Sequence, residues 1–250
     1  MDMLELDYIA SRLEALEETI IFVLIERIQF MLNPSCYLPG KSGFNGKNAE
    51  SLFSMRLKAQ EEMDARFGRF LTPEERPVNR ELPPSERKLQ VSPRGLNIVD
   101  YDLVNLSGEI AGAYLQLLPR ICTEGDDGQY GSSIERDVIC IQALARRVHF
   151  ASFYVAESKY RMNPESYDLL IREGKTEDIG AQLTRPEVEA RILDRVRTKS
   201  QRLQEISDFS LRRVLDPEAV TALYRDVIIP LTKEGEVRYM MTRSTRPLPD

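Results

Sequence analysis

The sequence has few of the residues that enzymes use for covalent or metal chemistry. It has one histidine, His149, and three cysteines, Cys36, Cys122 and Cys140, whose spacing matches no metal site. An odd number of scattered cysteines is typical of reduced thiols in a cytosolic protein, where they pack as small core side chains. The sequence also lacks a catalytic triad and a glycine-rich phosphate loop. We therefore predict no metal and no other cofactor.

Basic blocks and long apolar runs are also missing. The net charge is −6, and no segment collects Lys and Arg without acids, which argues against nucleic-acid binding. The apolar run 19–24 is too short for a membrane span, and the acidic start at residues 1–5 is unlike a signal peptide. An apolar content of 42% and a charged content of 30% are typical of a globular protein. We therefore expect a cytoplasmic protein, and any anion site must be a local cluster of cations.

Apolar residues recur every three or four positions along most of the chain, as Ile9, Leu13, Leu16 and Ile20 do in the first segment. Together with residues that start or end helices, this spacing predicts helices over 7–31, 48–67, 100–122 (in two pieces around Gly108), 132 or 133 to 162, 164–172, 176–183, 186–209 and 216–243. The best strand candidate, 91–99, is interrupted by prolines and glycines, and 71–94 is proline-rich and extended. We predict an all-α, single-domain multi-helix bundle over residues 1–250.

Possible helix caps support two of these boundaries. Asn48 or Ser51 can cap the second helix, and Asp216 followed by Pro217 suits the N-cap and first position of the last helix.

Two cations, Arg147 and Lys159, occur on the longest predicted helix, which is largely apolar. Such a row is most often a solvated face. A central apolar helix would, however, bury some of these charges, and buried cations need anionic partners, which Glu189, Glu236 or a bound dicarboxylate can supply.

Thr232 and Glu236 are four residues apart, so both point from one helical face. The alternative is a purely structural role, in which Thr232 bonds a backbone carbonyl near Pro230 and Glu236 pairs with Arg238 or Lys233 in water. For His149 we favour a structural role in the core.

These residues belong to segments that resemble the all-helical chorismate mutases of fungi and plants. In order along the chain, the matching segments are Glu17-Glu18-Thr19-Ile20-Ile21-Phe22, Ile25-Glu26-Arg27, Gly131-Ser132, Glu135-Arg136-Asp137, Leu144-Ala145-Arg146-Arg147-Val148-His149-Phe150, Val155-Ala156-Glu157-Ser158-Lys159 and Ile229-Pro230-Leu231-Thr232-Lys233-Glu234. The resemblance implies a helical homodimer that converts chorismate to prephenate, a step of phenylalanine and tyrosine biosynthesis that proceeds without a nucleophile, metal or cofactor.

The resemblance also implies roles for individual residues. Arg147 would bind a substrate carboxylate, with help from Thr232, and Glu189 would accept the ring hydroxyl. Lys159 and a protonated Glu236 would donate to the ether oxygen as its bond breaks.

This chain departs from the family pattern at several positions of the implied site. The first-helix arginine of the family corresponds to Ala10, and Arg12 is rotated from that position by about 200° on a helix. The family asparagine before the glutamate corresponds to Arg185, which can supply the missing charge from the other side. Gly235 interrupts the last helix beside the catalytic glutamate.

The spacing of the two cations differs as well. Arg147 and Lys159 are twelve residues apart, where the family has eleven. Eleven residues return to within about 20° of one helical face and twelve leave about 120°, so either a π-bulge in 152–155 absorbs the extra residue or Lys159 misses the site.

The residues that resemble the regulatory site are Arg69, Gly131 and Ser132. Here the family's arginine pair reads Gly68-Arg69, and its threonine position reads Glu135, whose carboxylate would repel that of an amino acid. We expect a chorismate mutase that tyrosine and tryptophan do not regulate. The alternative is a paralogue that has lost most activity and binds a small anion or a protein partner.

Overall fold

The computed structural model describes residues 4–46, 49–88, 95–205 and 213–244. Its α-helices are α1 (Leu6–Arg27), α2 (Leu52–Arg66), α3 (Ser107–Ile121), α4 (Tyr130–Phe150), α5 (Ala156–Met162), α6 (Pro164–Arg172), α7 (Thr176–Leu183), α8 (Pro186–Glu205), α9 (Pro217–Leu223) and α10 (Ile229–Thr242). Short 3-10 turns occur at Pro34–Tyr37, Arg69–Leu71 and Tyr101–Val104. The described ranges contain no strand, which confirms the all-α prediction.

The first helix ends earlier than predicted, at Arg27 instead of residue 31. The buried guanidinium of Arg27 donates to the carbonyl oxygens of Met31 (3.1 Å) and Leu32 (3.2 Å) and to Asp137 Oδ1 (2.5 Å). These contacts turn the chain back over the helix end. Periodicity could not predict this end, because it depends on Asp137, which lies more than a hundred residues away.

The start of α2 follows from its own sequence. Ser51 Oγ accepts the N–H of Ser54 at 3.1 Å, and Ser54 Oγ accepts the N–H of Ser51 at 3.0 Å, which makes a reciprocal cap. The other cap candidate, Asn48, lies outside the described residues.

The predicted break in the third helical segment lies before Gly108 and not around it. The Asn105 side chain accepts the N–H of Ser107 at 2.9 Å and so starts α3, and Gly108 lies within the helix. In α8, the predicted residues beyond 205 lie outside the described ranges.

The predicted last helix is interrupted once. Asp216 caps α9 by accepting the N–H of Glu218 at 2.9 Å, and Pro217 takes the first position, as predicted. A π-helical segment, Tyr224–Ile228, then leads into α10. Because Pro230 has no N–H to donate, the preceding turn is free to widen.

Helix α4 continues through a second π-helical segment, Ala151–Val155, into α5. This continuous rod is the central element of the fold, with α1 packed along α4 and α10 packed against the π segment and α7. The three cysteines are buried and free, as expected of core side chains. In the part of the chain that is described, no helix is both long and apolar enough to cross a membrane.

Candidate active site

A cavity of about 340 Å³ lies between the first turns of α1, the π segment of the central rod, the start of α8 and the middle of α10. Apolar side chains from α1 and α8, such as Leu13 and Ile192, form much of its wall. The polar groups on the wall include all five residues predicted to be catalytic, namely Arg147, Lys159, Glu189, Thr232 and Glu236.

Arg147 is buried in this wall, with 3% of its surface exposed. Its Nε and Nη1 atoms have no hydrogen-bond partner among the described residues. A buried guanidinium without a partner is costly, since folding removes it from water without replacing the lost hydrogen bonds. Such a group is expected where an anionic ligand completes the site.

The π segment brings Lys159 to the same cavity as Arg147. It spans Ala151–Val155, where a π-bulge was one of the two alternatives for the spacing of the two cations. The wider turn absorbs one residue, so twelve positions return to nearly the same face of the rod. The alternative with a π-bulge is confirmed, and both cations line the cavity.

Lys159 and Glu236 form a buried pair across the cavity wall. Lys159 Nζ lies 3.2 Å from Glu236 Oε2 and donates to the carbonyl oxygen of Leu183 at 2.6 Å. Burial raises the pKa of Glu236 above its usual value, although Lys159 and Arg147 act in the opposite direction. The alternative partner Arg238 instead pairs with Glu234, so Glu236 is not a solvated surface carboxylate.

Thr232 on α10 and Glu189 on α8 both line the cavity. Thr232 Oγ1 is buried without a partner among the described residues, so it does not bond the backbone near Pro230 as the structural alternative supposed. Glu189 Oε1 lies 2.6 Å from Lys233 Nζ. The sequence suggests Lys233 only as a possible partner of Glu236, and the structure pairs it with Glu189 instead.

Ala10 lines the cavity, and two cations near the start of α8 do so as well. Arg185 lines the cavity as predicted, whereas Arg12 is exposed to solvent and does not. Arg191 also lines the cavity, and sequence reasoning missed it. Arg191 lies six residues beyond Arg185, which is about 120° around a helix, so no common-face pattern in the sequence pointed to it.

His149 has the structural role that we favoured. It is fully buried, and its Nε2 accepts the N–H of Leu106 at 2.9 Å. Burial, followed by the nearby Arg76, lowers the pKa of His149 to about 3, so the ring is neutral at ordinary pH. His149 therefore holds the start of α3 and does not contribute a proton.

The residues that resemble a regulatory site do not meet within one chain. Arg69 donates to Gln142 at 2.8 Å and to Glu75 at 3.0 Å. Gln142 is ten residues beyond Ser132 on α4, which is about 15 Å along the helix. Gly131 and Ser132 are exposed in the first turn of α4. Glu135, one turn further on, is 3.8 Å from Arg56.

Metal ligation has no support in the described ranges, where no group of three or more His, Cys, Asp or Glu side chains could hold an ion. The cavity instead combines cations, a hydroxyl and carboxylates, one of which has a raised pKa. This set can bind a small dianion and donate hydrogen bonds to an oxygen that gains negative charge.

Comparisons with known proteins agree with this chemistry. A family model described as chorismate mutase type II matches residues 130–237. A chorismate mutase of Trichoderma parareesei is 36% identical, with 96% of this chain and 93% of that protein covered. The chloroplastic chorismate mutase 1 of Petunia hybrida is 37% identical, with 95% and 75% covered. The crystal structure of the Candida albicans chorismate mutase Aro7p, in complex with L-Trp, superimposes with a TM-score of 0.88 at 32% identity and covers 96% of this chain and 92% of that one.

Proposed function

Because this chain belongs to the family of all-helical eukaryotic chorismate mutases, we propose that it converts chorismate to prephenate in the cavity lined by Arg147, Lys159 and Glu236. The observation that carries this proposal is the buried Arg147, which lines the cavity and whose Nε and Nη1 atoms have no partner among the described residues.

The reaction is an internal rearrangement, so the protein has to hold the substrate in its folded shape and stabilise the charge that develops. We assign one substrate carboxylate to the fork of Arg147, with Thr232 as an additional donor. We assign the ring hydroxyl to Glu189. All three side chains line the same cavity, which supports these roles.

The second carboxylate requires another cation, because the α1 residues that line the cavity include no Lys or Arg and Ala10 stands where the family has an arginine. We assign this carboxylate to Arg185 and Arg191. Both line the cavity, Arg185 immediately before α8 and Arg191 within it, and neither forms an ion pair with another described residue. A guanidinium can bind a carboxylate in a bidentate manner, which suits this role.

Lys159 and Glu236 are assigned to the ether oxygen. Their charged ends are 3.2 Å apart, so a single acceptor atom between them can receive a hydrogen bond from each. For Glu236 this requires the protonated form, and the raised pKa of Glu236 favours that form.

Chorismate loss in the wild type and in Arg147→Ala tests the proposal. We expect the wild type to consume chorismate and Arg147→Ala to lose most of that activity. Arg136→Ala is the matched control, because Arg136 lies on the same helix but pairs at the surface with Glu26 at 3.5 Å. No turnover in the wild type would instead favour the alternative, a paralogue that binds a small anion or a protein partner.

We further propose that tyrosine and tryptophan do not regulate the enzyme, because Glu135 stands near the start of α4 where an amino-acid carboxylate would have to bind. The Candida albicans relative was solved with L-Trp, and the comparisons therefore give this part no support. Activity measured against increasing concentrations of each amino acid decides the point, and a strong change in rate with either of them would contradict it.

We also propose one domain that forms a homodimer and acts in the cytoplasm in aromatic amino-acid biosynthesis. Phe22 and Phe67 are 51% and 64% exposed and are apolar surface that a partner subunit can cover. The Petunia relative is chloroplastic, so a plastid is the alternative location. Sedimentation analysis tests the dimer, and cell fractionation tests the location.

A further inference from the structure

Helix α10 passes very close to the π segment at Gly235. A Cβ atom added to Gly235 would lie 2.7 Å from Ser152 Cβ, still closer to Ser152 Oγ, and 3.2 Å from Leu106 Cδ1. Carbon atoms in van der Waals contact are about 3.5–4.0 Å apart, so this position accepts no side chain unless a neighbour moves.

The neighbours of Gly235 are held in place. Ser152 is fully buried, and its hydroxyl donates to the carbonyl oxygen of Val148 at 2.8 Å, one turn earlier on the rod. The backbone of Leu106 is fixed by its hydrogen bond to His149. The space that receives Gly235 is therefore held most firmly on the Ser152 side.

This contact lies next to both groups assigned to the ether oxygen. Ser152 belongs to the π segment that aligns Lys159 with Arg147, and Gly235 immediately precedes Glu236. We propose that Ser152 and Gly235 are positioning residues, a matched pair that sets the register of α10 against the central rod and thereby the contact between Lys159 and Glu236. This inference rests on the proposed function.

The variant Gly235→Ala tests the pair. In most helices a change from glycine to alanine is stabilising. Here we expect the melting temperature to fall and kcat to fall by about 10- to 100-fold, because a displacement of about 1 Å misplaces the donors. KM should change less than kcat, since the arginines assigned to the carboxylates lie outside α10, which contributes only Thr232 to carboxylate binding.

Gly180→Ala is the matched control. Gly180 lies in α7, which packs against the same helix α10, but its added Cβ would meet Val237 Cγ2 at an ordinary 3.7 Å. We expect Gly180→Ala to keep the wild-type kcat and to melt at the same or a higher temperature.

Combining Ser152→Gly with Gly235→Ala completes a double-mutant cycle. Once the side chain of residue 152 is removed, we expect Gly235→Ala to cost no activity and to raise the melting temperature. The inference is wrong if Gly235→Ala alone keeps the wild-type kcat and melting temperature, or if its cost is the same in both backgrounds. If the wild type does not consume chorismate, the proposed function fails, and the melting temperatures of the four proteins still test the pair.

Discussion

Replacing Arg147 by methionine should make the ligand-free protein more stable and far less active. The guanidinium is buried, and two of its nitrogen atoms have no partner among the described residues. Methionine has a similar volume and leaves no polar group to satisfy. Replacing buried ionic groups in this way can stabilise a protein by about 1–4 kcal/mol. At roughly 2–4 °C per kcal/mol for a chain of this size, the melting temperature should rise by several degrees.

The loss of activity can be estimated from the same two nitrogen atoms. A hydrogen bond to a charged group contributes about 1.5–3 kcal/mol, so two of them contribute about 3–6 kcal/mol to binding the carboxylate. Since about 1.4 kcal/mol corresponds to a factor of ten, kcat/KM should fall by about 100- to 10,000-fold. Initial rates of chorismate loss and thermal melting without ligand measure the two effects.

Arg27→Met is the control for this trade-off. Arg27 is also fully buried, but its guanidinium is surrounded by Asp137 and by backbone carbonyl oxygens. Breaking such a buried pair should destabilise the protein by about 3–5 kcal/mol. If Arg147→Met lowered the melting temperature as Arg27→Met does and left kcat/KM unchanged, Arg147 would be a structural residue and our reasoning about the cavity would be wrong.

Three further predictions concern other groups. Only the protonated form of Glu236 can donate to the ether oxygen, so kcat should stay constant at pH values below the raised pKa of Glu236 and fall as the pH increases through it. In Glu236→Gln, kcat should not change with pH over this range. The same pH dependence of kcat in both proteins would exclude this role. The double variant Arg185→Ala/Arg191→Ala should raise KM for chorismate by about 10- to 100-fold, because it removes charged hydrogen bonds that contribute roughly 1.5–3 kcal/mol. An unchanged KM would show that these arginines do not bind the substrate. Burial alone would raise the pKa of Glu157, but hydrogen bonds, first from Arg243, outweigh burial and lower that pKa. Glu157 therefore contributes stability at neutral pH that is lost as the pH falls through its pKa. The loss of unfolding free energy caused by Arg243→Ala, measured in urea, should be about 3 kcal/mol at pH 7 and should shrink in acid.

Much of the fold could be predicted because most helices carry their own signals. The spacing of apolar residues predicted the positions of the helices, and the local caps Ser51 and Asp216 predicted where α2 and α9 begin. The predictions for α6 and α7 agree with the observed ends, since proline, glycine and threonine mark those boundaries in the sequence itself. The early end of α1 could not be predicted, because it depends on the contact of Arg27 with a carboxylate that is distant in sequence, Asp137.

The candidate site could be predicted in part for a similar reason. A spacing of twelve residues puts two cations on the same face of one helix only with a π-bulge, and a π segment is observed at Ala151–Val155. The neighbours of the site depend on tertiary packing. The pairing of Lys233 with Glu189, the approach of Arg191 and the contact of Gly235 with Ser152 all join elements that are far apart in sequence.

A crystal structure with a bound dicarboxylate that mimics the transition state of chorismate rearrangement tests the central claim most directly. We predict one carboxylate on Nε and Nη1 of Arg147, the other beside Arg185 or Arg191, and the ether oxygen between Lys159 and Glu236. A ligand bound outside this cavity, with the Arg147 guanidinium still without a partner, would contradict the account.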